Sequence, residues 1–365
     1  MNNKQSVGRT RGALLFTVFI ILCCGQARLY ADESRTLRLA APLALSGIAA
    51  EHSENIRNGI ELAKSELEQQ GWKVEVAYED TTAQAARVVT AVQSLLARGH
   101  RFFIGPTWSY MVAAARPLFE RYDTVVYSPA TSTEVTAGPS PNVFQGASRH
   151  SGKLEALSPW LKNRQFTRAA LIVSEADWGT LHRGIFEQAC RNAGIEIVLS
   201  RSYQLDAEDE VVRNFAGIIS GRKPDVVLAD LNKGGTAIFL RRMDEHGFRP
   251  PVIGVEKMRD AFTQSLIVSG PGTPRLYVME IPLKPEFVER FKSHFGTSPG
   301  SYSDSAYDGV MILARAVSAT DGSPQAVRNY LRDRLSYEGA SGYFDFDSNG
   351  DVVKSKWQIL PVNSD

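Results

Sequence analysis

The chain of 365 residues carries 41 Lys plus Arg against 40 Asp plus Glu, a formal charge of +1 that gives no basis for a nucleic-acid binder. A hydrophobic share of 43% with 22% charged residues sits at globular averages and argues against a disordered, collagenous or coiled-coil chain. At about 150 residues per domain, the length suggests two domains and an added segment.

That segment is N-terminal. Lys4, Arg9 and Arg11 precede an apolar run from Ala13 to Cys24, and small residues follow at Gly25, Ala27 and Ala31. The pattern predicts a signal peptide over 1–31 and hence a periplasmic protein, since a run of about a dozen residues is short of the ~20 a membrane-spanning helix needs. Residues 1–31 hold four basic groups and no acid, so cleavage after Ala31 takes the net charge from +1 to −3. Cleavage also leaves Cys190 as the only cysteine, which excludes an intramolecular disulfide. A lipid tether on Cys24 is the alternative, but such sites ordinarily follow Gly, Ala or Ser, and here Cys23 stands in that place.

From residue 36 onward, short β-type runs alternate with helical periodicity. Leu37 to Ala41 reads as a strand; Ile56, Ile60, Ala63 and Leu67 mark one face of a helix that stops at Gly71. Val74, Val76 and Tyr78 alternate as a second strand, Val88, Val92 and Leu95 give a second helix, and Phe102-Phe103-Ile104 a third strand. Runs at 168–173, 225–229 and 252–255 continue the alternation, several of them apolar throughout. Strands covered on both faces need that composition, and helical crossovers imply parallel pairing. The expected fold is α/β, with two doubly wound parallel-sheet lobes.

In such sheets ligands bind outside the carboxyl ends of the strands. Ser109 opens a helix whose free N–H groups and positive dipole end suit a carboxylate, and Thr131 follows the next strand; from residue type alone, plain helix capping is the commoner use of both. In the second half the strand ends carry Trp178, Asn232 and Glu256. Glu256 could accept from a ligand ammonium or merely complement a helix start, and Trp178 could stack on a ligand or close an interface. Catalytic motifs are sparse. Gly296-Thr297-Ser298-Pro299-Gly300 matches G-x-S-x-G, but a helical stretch precedes it where a nucleophile elbow requires a strand, so it reads as a helix-terminating loop. The six histidines show no metal-ligand spacing, and no phosphate loop is present, so no cofactor is expected.

Taken in order, APLALSG at 41–47, NGIELAKSEL at 58–67, YED at 78–80, FIGPTWS at 103–109, YSPATSTEVT at 127–136, AYDGV at 306–310 and YEGASGYFDFDSNGDV at 337–352 resemble the type I periplasmic binding proteins of ABC transporters, branched-chain amino-acid class. The resemblance covers nearly all of the chain past the signal. It implies two lobes joined by a three-strand hinge, with 36–147 and 281–334 in lobe 1 and 148–280 and 335–365 in lobe 2. It further implies that Ser109, Ala130 and Thr131 bind a ligand carboxylate, that Trp178 and Asn232 line the other wall, and that Glu256 pairs with a ligand ammonium. The partners implied are a small amino-acid-like, carboxylate or amide solute and the permease subunits. Trp178 stands where the family usually has Tyr, and Asn232 where relatives carry another aromatic; Asn232 with Lys233 makes that wall more polar, which argues against leucine and leaves open a polar amino acid, a dicarboxylate or an amide. Two other readings stay open: a ligand-sensing module on the same fold, and a hydrolase using Ser298.

Overall fold

The computed structural model describes residues 35–130, 141–147, 151–261, 276–352 and 356–362. The predicted segment 1–31 and Thr131 lie outside them. In chain order the first half runs β1 (Thr36–Leu43), α1 (Ala50–Gln69), β2 (Lys73–Asp80), α2 (Ala85–Ala97), β3 (Phe102–Ile104), α3 (Ser109–Arg121), β4 (Val125–Ser128) and β5 (Val143–Gln145). These strands form one parallel five-stranded sheet of order β2-β1-β3-β4-β5.

Side chains alternate across a strand, and here both faces are apolar. Leu39, Ile104 and Tyr127 point into one core with Ile56 and Ile60 of α1. Their neighbours Ala40, Phe103 and Val126 point into the other, with Val88 and Val92 of α2 and Phe119 of α3. The continuous apolar runs of the sequence therefore become strands sandwiched between helix layers.

The chain then builds a second sheet: α4 (Ser151–Asn163), β6 (Arg168–Ser174), α5 (Asp177–Ala193), β7 (Glu196–Tyr203), α6 (Glu208–Arg222), β8 (Val226–Ala229), α7 (Lys233–Glu245), β9 (Val252–Val255) and β10 (Leu276–Glu280). It returns to the first lobe for α8 (Pro285–Phe295), α9 (Ser303–Ser318), α10 (Pro324–Asp333) and the hairpin β11 (Tyr337–Gly339) and β12 (Gly342–Phe344). Finally β13 (Gln358–Pro361) pairs antiparallel with β10, completing the order β13-β10-β9-β8-β6-β7. The chain thus passes between the sheets three times, after β5, after β10 and after β12.

α9 closes the first core by lying directly on α1. Gly59 makes the approach possible: a Cβ there would stand 2.1 Å from the Ser303 carbonyl oxygen. One boundary differs from expectation. The stretch from 335 was assigned to lobe 2, yet Leu335, Ala340, Phe346 and Val352 are buried in the first core and Asp351 bridges Gln145 of β5. The buried Asp308 carboxylate on α9 anchors this stretch by accepting from Ala340 N at 2.9 Å and from the Tyr337 hydroxyl at 3.2 Å. Among the described residues of this stretch, β13 and its flanking Trp357 and Val362 join the second lobe.

Candidate functional site

The strand ends of the two sheets meet across a boundary lined with rings. Trp108, which follows β3, and Trp178, in the first turn of α5, stand with ring centroids 5.5 Å apart and planes at 45°. Gly179 lets that first turn press onto the end of β6, where a Cβ would come 2.2 Å from the Ser174 carbonyl oxygen, and so carries Trp178 to the boundary. His52, near the start of α1, packs beside Trp108 at 6.3 Å and beside Tyr302, just before α9, at 6.0 Å. The Tyr302 hydroxyl crosses to the second lobe and donates to Glu256 Oε1 at 3.3 Å.

The first lobe's wall is knitted by hydroxyls. Thr107 Oγ1 accepts from Ala44 N at 3.1 Å and pairs with Ser53 Oγ at 2.9 Å, so one buried side chain ties the ends of β1 and β3 to the first turns of α1. Ser109 is the first residue of α3, as the sequence suggested, and is half-buried. Ala130 is buried, and its N–H donates to Ser128 Oγ at 3.2 Å.

The second lobe's wall holds a chain of charges. Lys153 of α4 is fully buried; its ammonium donates to Glu256 Oε2 at 2.8 Å and lies 3.0 Å from His182 Nε2. His182 Nδ1 stands 2.8 Å from Asp230 Oδ2, so the contact with Lys153 fixes a neutral ring with its proton on Nδ1. Lys257 Nζ lies 2.6 Å from Asp230 Oδ1, an ion-pair contact whose angles miss those of a hydrogen bond, and donates to Asn232 Oδ1 at 3.2 Å. The Asn232 amide and backbone N–H both donate to the buried Glu208 carboxylate, at 2.6 and 2.7 Å.

These partners set the protonation states. Burial alone would raise the Asp230 carboxyl, but Lys257 and His182 overrule it and hold it well below the ordinary range. Glu256 follows the same balance, with burial raising it and Lys153 pulling it lower than usual. Burial pulls the Lys153 ammonium down while Glu256 opposes the fall, so the two charges persist only as a pair. His52 is driven to about 4, first by burial and then by Lys257.

Of the residues singled out from sequence, Trp178 and Glu256 come together at the lobe boundary, and Ser109 follows directly on Trp108 there. Asn232 is engaged within the second wall, and the Lys233 side chain lies outside the described residues. Lys153, His182, Asp230, His52 and Tyr302 were missed. Asp230 ends an apolar strand as Glu256 does and could have been found by that signal; Lys153 and His182 sit inside helices, where nothing local marks them. Ser298 is exposed in the loop after α8, without the strand-turn-helix setting a nucleophile elbow requires. Among the described residues, no group of three His, Cys, Asp or Glu side chains is placed to hold a metal ion.

A family model described as periplasmic binding protein matches residues 36–365. A curated relative, Leu/Ile/Val-binding protein homolog 7 of Brucella abortus, is 24% identical over 212 residues, 52% of this chain and 53% of the relative. The match therefore spans about half the length of that relative. A solute binding protein from Rhodopseudomonas palustris BisB5, solved with 3,4-dihydroxy benzoic acid, superposes with TM-score 0.76 at 19% identity, covering 89% of this chain and 96% of that one. LivJ from Streptococcus pneumoniae, solved with isoleucine, gives TM-score 0.74 at 16% identity over 89% of this chain and 99% of that one. At these identities the two structures establish the fold.

Proposed function

Since the chain belongs to the periplasmic binding protein family, we propose that it is an exported solute-binding protein. It shuts its lobes on a small carboxylate- or amide-bearing solute and presents the closed form to the permease of an ABC transporter. The observation that carries this reading is the meeting of Trp108 and Trp178, one from each lobe, at 5.5 Å. A hinge motion that parts the lobes would separate these rings, and a solute entering between the walls would touch both.

In this reading the Ser109 hydroxyl, the N–H groups opening α3, and the Ala130-Thr131 segment take the acid end, since a helix start favours an anion. Trp178 covers the solute from the second lobe, with Asn232 and Glu256 shaping the wall behind it. No bond is made or broken. Micromolar affinity corresponds to about 8 kcal/mol, within reach of two or three hydrogen bonds to a charged group at ~1.5–3 kcal/mol each plus ring stacking. The solved Rhodopseudomonas and Streptococcus proteins hold small acids in the same fold, which supports this choice of solute.

Titration calorimetry of the purified protein against a panel of amino acids, aromatic acids, dicarboxylates and amides tests the reading. At least one solute is expected to bind in the micromolar range, with Trp178→Ala and Ser109→Ala each weakening it at least tenfold. A panel that gives no heat, or affinities indifferent to both substitutions, overturns it.

A further inference from the structure

The acids of the second wall are engaged before any solute arrives. Glu256 accepts at both oxygens, from Lys153 at 2.8 Å and Tyr302 at 3.3 Å. Asp230 lies between His182 at 2.8 Å and Lys257 at 2.6 Å. Glu208 turns both oxygens to Asn232. A ligand ammonium brought against this wall would give up its water and find Lys153 and Lys257 already on the carboxylates it needs. A desolvated charge without its own counter-charge binds poorly, and two nearby ammonium groups make the loss greater.

The described boundary offers rings instead. Trp108, Trp178, His52 and Tyr302 form a connected set with centroid separations of 5.5, 6.3 and 6.0 Å. Such faces and edges receive a flat apolar ring in offset or edge-on contact. Within the set, His52 Nδ1 is buried with no hydrogen-bond partner, a vacancy that a ligand hydroxyl or acid oxygen would fill.

We propose that the cleft selects a ring-bearing carboxylate that lacks an amino group, and that Lys153 enforces the choice by occupying Glu256. This rests on the solute-capture reading above and names its substrate class.

The test compares ligands that differ only in the amino group: 3-phenylpropanoate against phenylalanine, and benzoate as a smaller ring acid, each titrated calorimetrically into the full protein. 3-Phenylpropanoate is expected to bind at least tenfold more tightly than phenylalanine. Lys153→Met, which frees Oε2 of Glu256 and removes the competing ammonium, is expected to narrow or reverse that ratio. Should the variant not fold, the wild-type ratio decides alone. Phenylalanine binding as tightly as 3-phenylpropanoate overturns the selectivity and leaves solute capture standing. If neither ring acid binds while an amide or dicarboxylate does, the substrate class is wrong. If nothing in either panel binds, the reading beneath falls with it.

Discussion

His52 shows how a single side chain reports the state of the lobe boundary. Its ordinary value is 6.5, and in the folded protein it is held to about 4 by burial first and Lys257 second, with Glu51 and Glu256 opposing. Between those values the unfolded chain takes up a proton that the folded protein refuses, so stability falls as pH drops from about 6.5 to about 4. Above that window the contribution vanishes. Urea midpoints of the wild type and His52→Asn at pH 7, 5.5 and 4.5 should diverge, the wild type losing about 1–2 kcal/mol more on acidification. Equal losses would show that the ring is not desolvated. At this scale the sequence was only partly legible. Ser109, Trp178 and Glu256 could be named because each stands at a strand end, where topology alone marks a position. Lys153 could not, because its partner Glu256 is 103 residues away and pairing at that separation leaves no local trace.

At the scale of elements, periodicity served well. The stripe of Ile56, Ile60, Ala63 and Leu67 became the buried face of α1, and the unbroken run at Ala169–Val173 became a fully buried strand. What periodicity does not record is which helix another helix lies on. Gly59 sits within the α1 stripe, and its meaning appears only when the Ser303 carbonyl is found 2.1 Å from the place a Cβ would take. Backbone cannot yield as a flexible side chain can, so Gly59→Ala should force α1 and α9 apart. The expected cost is about 1–3 kcal/mol in chemical denaturation, the usual range for overpacking. Gly184, on α5 with open space around its Cβ position, is the control: Gly184→Ala should be neutral or slightly stabilising. A Gly59→Ala protein as stable as wild type would mean that the packing of α1 on α9 is looser than described.

Across the whole molecule, two lobes were legible and their exact partition was not. The expectation that the chain past 335 belongs to lobe 2 holds for β13 and fails for 335–352, because the hairpin β11–β12 is held by Asp308 and by the first core, a tertiary preference invisible in a short strand's own composition. The expected motion is a hinge at three connections, and Trp108 and Trp178 are its natural reporters. Addition of a bound solute should therefore change tryptophan emission, and most of that change should disappear in Trp178→Phe. An unchanged spectrum at saturating solute would argue against movement between these rings.

The threading of the chain has a bearing on how the protein is made. β5 waits for Asp351, and β10 waits for residues 358–361, so each half lacks a neighbour until the chain past residue 350 has been synthesised. A nascent polypeptide halted near residue 330 would own most of two sheets and the finished edge of neither. Domains ordinarily mature one after another from the N-terminus. Here the two halves share their completing segment, so a frameshift shortly before residue 351 would be as damaging to the first half as to the second.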